Sequence, residues 1–119
     1  MGLAEPYGEH TIRHATGTVA IDSTAGMFMK VIADDIFSPS TDASVVAEGI
    51  LHKDRDAGAL CTILMGGPIK LETVLGGAVA GDEIEVDAAT AFPTKLVSGK
   101  AQGKIIKMDG VYYVVKMYV

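Results

Sequence analysis

The sequence predicts a small all-β barrel-like domain, and three observations carry that expectation. Short apolar runs alternate with turn-forming clusters about every ten residues, the spacing of a small barrel or sandwich. Fourteen glycines punctuate the chain. No segment holds a helical apolar stripe through three turns, so helix is expected to be at most one short piece.

Taken in order, residues 1–15 read as an extended N-terminal arm, polar and irregular, with Pro6 and Gly8 as breakers. The body is expected to span residues 16–119. Thr16–Ile21 and Met27–Ala33 read as strands around a turn at Asp22-Ser23-Thr24-Ala25-Gly26. Phe37–Ala43 reads as a loop, since Ser38, Pro39, Ser40, Thr41 and Asp42 favour turns. Ser44–Leu51 and Ala59–Met65 read as strands around the polar corner Lys53-Asp54-Arg55-Asp56-Ala57-Gly58. Ile69–Leu75 fits either a strand or a turn of helix, closed by Gly76 and Gly77.

Further on, Gly81-Asp82 opens a strand of clean alternation. Ile84 and Val86 are expected to face the core, and Glu83, Glu85 and Asp87 the solvent. Pro93 bounds a loop, and Gly103–Met108 is a strand. Asp109-Gly110 is a strong two-residue hairpin signal leading into a last strand, Val111–Val119. That strand is apolar on both faces. Tyr112, Val114, Lys116 and Tyr118 lie on one side, and Val111, Tyr113, Val115, Met117 and Val119 on the other. Either it is covered on both sides, or one face is a subunit interface, where tyrosine is favoured. In the second case Tyr112, Val114 and Tyr118 are the candidate contact residues.

Composition narrows the function. A chain of 119 residues with 49% hydrophobic residues and no Trp fits one domain with an aliphatic core. The net charge is −5, with the Lys and Arg residues scattered. A nucleic-acid binder or an anionic-membrane binder needs a concentrated basic face, so neither is expected as a partner. The first residues show no basic-then-apolar leader, and no apolar run reaches the roughly 18 residues a membrane helix needs, so a cytoplasmic origin is expected. Cys61 is the lone cysteine. It has no partner for an internal disulfide, and within Leu60–Met65 it reads as a buried, inert thiol.

Motifs for chemistry are weak throughout. His10 and His14 are four apart on an extended chain, roughly 13 Å, too far to share one ion within a subunit. Asp82, Glu83, Glu85 and Asp87 lack the tight oxygen-lined turn of a calcium loop. Gly76–Gly81 precedes Asp82 and Glu83 rather than a Lys-Ser or Lys-Thr pair, so it makes no phosphate cradle. No nucleophile elbow and no paired-Cys zinc spacing occur. No catalytic residue, cofactor or metal is therefore expected, and the chain is not expected to be an enzyme.

Two stretches carry a family resemblance. One is Glu48-Gly49-Ile50-Leu51-His52-Lys53-Asp54-Arg55-Asp56-Ala57-Gly58-Ala59-Leu60-Cys61-Thr62-Ile63-Leu64. The other is Ala80-Gly81-Asp82-Glu83-Ile84-Glu85-Val86-Asp87, followed after a loop by Gly99-Lys100-Ala101-Gln102-Gly103. Over roughly residues 44–108 the chain resembles the capsid decoration, or cement, proteins of tailed bacteriophages. Gly67-Pro68-Ile69-Lys70-Leu71-Glu72-Thr73-Val74-Leu75 is similar to a stretch of lambdoid head decoration proteins that leads into a short helix.

The resemblance implies a β-tulip or barrel-like domain, usually a homotrimer, on the outer capsid surface of the virion. There it would bind the major capsid protein of the expanded head and clamp neighbouring subunits. The arm then becomes the candidate capsid-binding element, with Tyr7 and Ile12 as apolar anchors and Glu5, His10 and Arg13 as polar contacts. Two other functions stay open. A lipoyl- or biotinyl-type carrier domain would need a lysine at a hairpin tip, and a small-ligand-binding β-barrel subunit would place its site between protomers.

Overall fold

The computed structural model describes residues 4–7 and 13–119. Among them are eleven strands and no helix, as the all-β expectation holds. They are β1 Ala4–Pro6, β2 Arg13–Val19, β3 Phe28–Ala33, β4 Ile36–Pro39, β5 Gly49–Leu51, β6 Leu60–Met65, β7 Pro68–Leu71, β8 Glu83–Val86, β9 Pro93–Lys95, β10 Gly103–Asp109 and β11 Tyr112–Met117. Five close into a barrel, β2-β4-β3-β5-β6, and six form a second sheet, β1-β7-β11-β10-β8-β9. Among the described residues all strand–strand pairings are antiparallel except β2 with β4, and an isolated parallel bridge joins Leu75 to Thr94 on β9.

The barrel and the sheet are joined by strands that are apolar on both faces. Successive side chains on a strand point to opposite sides. The consecutive pairs Phe28-Met29, Ile50-Leu51 and Ile63-Leu64 on β3, β5 and β6 use both sides. Met29, Leu51 and Ile63 point into the barrel with Val19, Phe37 and Cys61. Phe28, Ile50 and Leu64 point outward into a larger core against Ile69, Leu71, Ile84, Val86, Ile105 and Val115 of the sheet. The runs Gly-Ile-Leu and Cys-Thr-Ile-Leu-Met are thus apolar without alternation because Ile50-Leu51 and Ile63-Leu64 are buried on both faces.

Two glycines let the barrel strands close up. A Cβ on Gly17 would strike the carbonyl of Asp35 and the Phe37 ring, where β2 meets β4. A Cβ on Gly49 would strike the carbonyl of Leu64 and the Ile63 side chain, where β5 meets β6.

Several local expectations change. Phe37–Ala43, read as a loop, begins with β4, whose Phe37 is buried in the barrel. The turn before β4 is Asp34-Asp35, with Asp35 at φ 55°, a left-handed conformation that Asp tolerates better than most residues. Only Gly49–Leu51 of the Ser44–Leu51 run is strand, and Val45 and Val46 are exposed. Pro93 starts β9, an edge strand capped by Leu75, so its missing N–H leaves no gap in a ladder. Ile69–Leu75 resolves into the strand β7 and then a bend. The last hairpin pairs Asp109 with Tyr112, so its two loop residues are Gly110 and Val111, one position later than expected. Gly110 takes φ +63°, as a glycine at the first loop position of a II′ turn does.

The stretch read as an arm is built into the body at both ends. β1 pairs with β7, Ala4 is buried in the larger core, and residues 13–15 belong to β2. Gly49→Val is expected to lower stability by about 3 kcal/mol or more, because the displaced atoms include the Leu64 carbonyl rather than a pliable side chain. Urea unfolding followed by far-UV circular dichroism would measure it.

Candidate functional site

Two buried polar side chains, Glu85 and Gln102, hold the chain's own loops. Glu85, expected to face solvent, is only 7% exposed. Its carboxylate accepts hydrogen bonds from the backbone N–H groups of Val97 (2.8 Å) and Gly99 (2.6 Å), fixing the 96–100 loop. Gly99 is needed there because a Cβ would collide with that same carboxylate. Gln102 is fully buried; its Oε1 accepts from Ala47 N (2.9 Å) and its Nε2 donates to Val45 O (2.7 Å). The loop between β4 and β5 is thereby tied over the seam, with Ala47 in the core.

The remaining acids of that cluster are each engaged separately. Asp82 accepts from Val79 N, Asp87 from Ala89 N and Thr90 N, and Glu83 from the Tyr118 hydroxyl. Among the described residues no three His, Cys, Asp or Glu side chains converge. His52 sits with Nδ1 2.6 Å from the Ala4 carbonyl, tying β1 to the barrel.

Cys61 is buried inside the barrel, where desolvation pushes its thiol above the ordinary value, outweighing the opposing effects of the Gly17 N–H and Arg55. A protonated thiol is a poor nucleophile. Beside it an open groove is lined by Thr18, Asp35, Ile36, Arg55, Leu60 and Thr62. The Arg55 guanidinium faces protein there, donating to the carbonyls of Leu60 and Asp54. No lysine occupies the Gly110-Val111 hairpin tip, the position an acyl carrier would require.

The outward face of the six-stranded sheet gathers most of the residues singled out from sequence. Register places Glu5, Lys70, Val114 and Lys107 in one row across β1, β7, β11 and β10. Lys104 lies opposite Lys116 in another row, with Glu83 beyond it on β8. A bulge between Ile105 and Lys107 sets this arrangement. It inserts Ile106 and turns Lys107 and Asp109 outward, where strict alternation from the buried Ile105 would turn them inward.

Contacts follow from that phase. Lys70 Nζ lies 3.6 Å from Asp109 and 4.5 Å from the centre of the Tyr112 ring. Lys107 Nζ lies 5.4 Å from the centre of the Tyr7 ring, and its contact with the Tyr7 hydroxyl raises its pKa.

Glu5, Tyr7 and Tyr112 therefore share this face, with Tyr118 at its margin and 51% exposed. Arg13 is exposed at the start of β2, beside Gly66. His10 and Ile12 lie outside the described residues. Val114 is fully buried within the chain, so its side chain offers no surface to a neighbour. At that position both sides of β11 are covered, since Val115 is fully buried as well. The lysines on this face carried no sequence signal, because their alignment depends on cross-strand register and the bulge.

The fold is that of a small two-sheet β-domain in which a closed five-stranded barrel backs onto a six-stranded sheet. It is similar to the N base of the head fiber protein gp8.5 of bacteriophage phi29, with a TM-score of 0.64 and 14% sequence identity, covering 90% of this chain and 94% of that chain. No family model and no curated protein matches the sequence.

Two outcomes are expected. Gln102→Met should cost about 1–3 kcal/mol in urea unfolding, because the buried Ala47 N–H loses its acceptor and the Val45 carbonyl its donor. Tyr118 is held protonated above its ordinary value of 10.0, first by its hydrogen bond to Glu83. A raised folded pKa gives stability that is present below pH 10.0 and is lost as pH rises through the raised value. Glu83→Gln should bring the Tyr118 titration down, read by phenolate absorbance.

Proposed function

We propose that this chain is a structural, non-enzymatic protein of a bacteriophage head, acting as a decoration or cement protein. The observation that carries this reading is the fold, shared over nearly the whole of both chains with the base of a phage head fiber protein. The interior supports it. Glu85 and Gln102, the buried groups a catalytic or ligand site would draw on, are saturated by backbone partners of their own loops.

In this reading the protein sits on the outer surface of the expanded head, bound to the major capsid protein. A homotrimer would multiply a modest contact per subunit into avid attachment, and would clamp neighbouring capsid subunits against internal pressure. Tyr7, Glu5 and Arg13 remain the described capsid-contact candidates, and Tyr112 and Tyr118 the subunit-contact candidates. Because Glu5, Tyr7, Tyr112 and Tyr118 share one sheet face and its margin, the capsid contact and the subunit contact are expected to adjoin.

Removal of residues 1–13 is a poor test, since it takes away Ala4 from the core and the β1 pairing. Point substitution is cleaner. The full chain mixed with expanded empty heads should co-sediment and appear as regular surface density by electron microscopy. Tyr7→Ala should weaken that binding about tenfold while preserving the melting temperature, as expected of an aromatic anchor. Absence of any binding to heads would refute the reading.

A further inference from the structure

We propose that the outward face of the six-stranded sheet, centred on Lys104, Lys107 and Lys116, docks onto an acidic protein surface. This rests on the head-protein reading for its setting, in which the acidic surface belongs to the shell. The first argument is register. Lys104 and Lys116 are directly opposed on β10 and β11. Like charges directly opposite each other on neighbouring strands destabilise a sheet. Among the described residues neither lysine has a salt bridge, and the ion pairs formed are Lys70–Asp109 and Lys95–Asp82.

The second argument is sign. The chain carries 15 acidic and 10 basic residues, yet this face sets four lysines, Lys70, Lys104, Lys107 and Lys116, against three carboxylates: Glu5 in the row of Lys70, Asp109 paired with Lys70, and Glu83 opposite Lys104. The Glu83 carboxylate is bound by the Tyr118 hydroxyl at 2.6 Å. Lys107 owes its outward position to the bulge at Ile106, so the local break in the ladder adds to the cluster.

The third argument is composition. Tyr7, Tyr112 and Tyr118, three of the four tyrosines, lie on this face or its margin. Tyrosine brings a rigid amphipathic surface suited to a protein interface. A nucleic acid is the poorer fit. Its phosphates require an extended run of cations, and the net charge of −5 opposes its approach.

The test uses the full chain and two substitution sets. Lys104→Gln/Lys107→Gln/Lys116→Gln removes the cluster, and Lys30→Gln/Lys53→Gln/Lys100→Gln removes three cations elsewhere. Thermal melts establish that each folds; if the first set does not, Lys107→Glu alone replaces it. The probes are expanded empty heads, a fluorescent oligo-glutamate peptide and a single-stranded oligonucleotide of equal length. The face variant should lose about tenfold in affinity for heads and peptide, the control set should stay within about twofold, and wild-type binding should weaken with salt.

The proposal is overturned if the face variant binds heads like wild type, or if the wild type prefers the oligonucleotide to the peptide. Face-dependent peptide binding without any head binding would support the acidic-surface site and refute the head-protein reading. Head binding indifferent to the face would do the reverse.

Discussion

The structure depends on a seam in which one set of strands serves two cores at once. Phe28-Met29, Ile50-Leu51 and Ile63-Leu64 send alternate side chains into the barrel and into the layer beneath the sheet. In a chain this small a barrel interior alone would bury little surface. By sharing β3, β5 and β6, the barrel wall becomes the floor of the second core. Burial of roughly 1.5–3 kcal/mol per large aliphatic side chain is thereby gained on both faces of the same strands. The close-approach glycines, Gly17 and Gly49, belong to this constraint, because a Cβ at either would hold the wall strands apart.

Polar groups near the seam follow from it. Once the loop between β4 and β5 is laid over the core, its backbone N–H and C=O groups lose water and need partners. Gln102 meets one donor and one acceptor at once, which a carboxylate could not do. The 96–100 loop presents two N–H donors, and there a carboxylate, Glu85, is the matching group. Each buried side chain has the donor and acceptor inventory of the loop it holds, which is why neither resembles a site from which a ligand has been withdrawn.

The sequence made the fold class and most strand positions legible, since glycine spacing and apolar runs are local signals. What it hid was non-local. Alternation in Glu83-Ile84-Glu85-Val86 assigned Glu85 to solvent, yet a loop twelve residues on folds over it. The turn residues Ser38 and Pro39 masked β4, whose strand character comes from pairing with β2 and β3. Ser44–Ala47 looked like strand by composition but is loop, held by Gln102 from 55 residues away. On the candidate face, Tyr7 and Tyr112 were visible as residue types. Their adjacency was not, because it requires the order β1-β7-β11. The face of Val114 was assigned correctly by alternation, but not its burial, which depends on what lies over that face.

The bulge in β10 shows how a single inserted residue decides the character of a surface. Ile105 faces the core, and two-residue periodicity would carry Lys107 and Asp109 inward with it. Burying an ammonium or a carboxylate against Ile69 and Leu71 would be costly, so the unbulged register would oppose the hairpin it extends. With Ile106 inserted, Lys107 joins the row of Lys70 and Val114, and Asp109 comes within reach of Lys70. The same insertion leaves Ile106 half exposed at the edge of the lysine cluster. The charge pattern of the outer face is therefore a property of strand phase as much as of composition, and a chain acidic in sum presents a locally basic surface at one place.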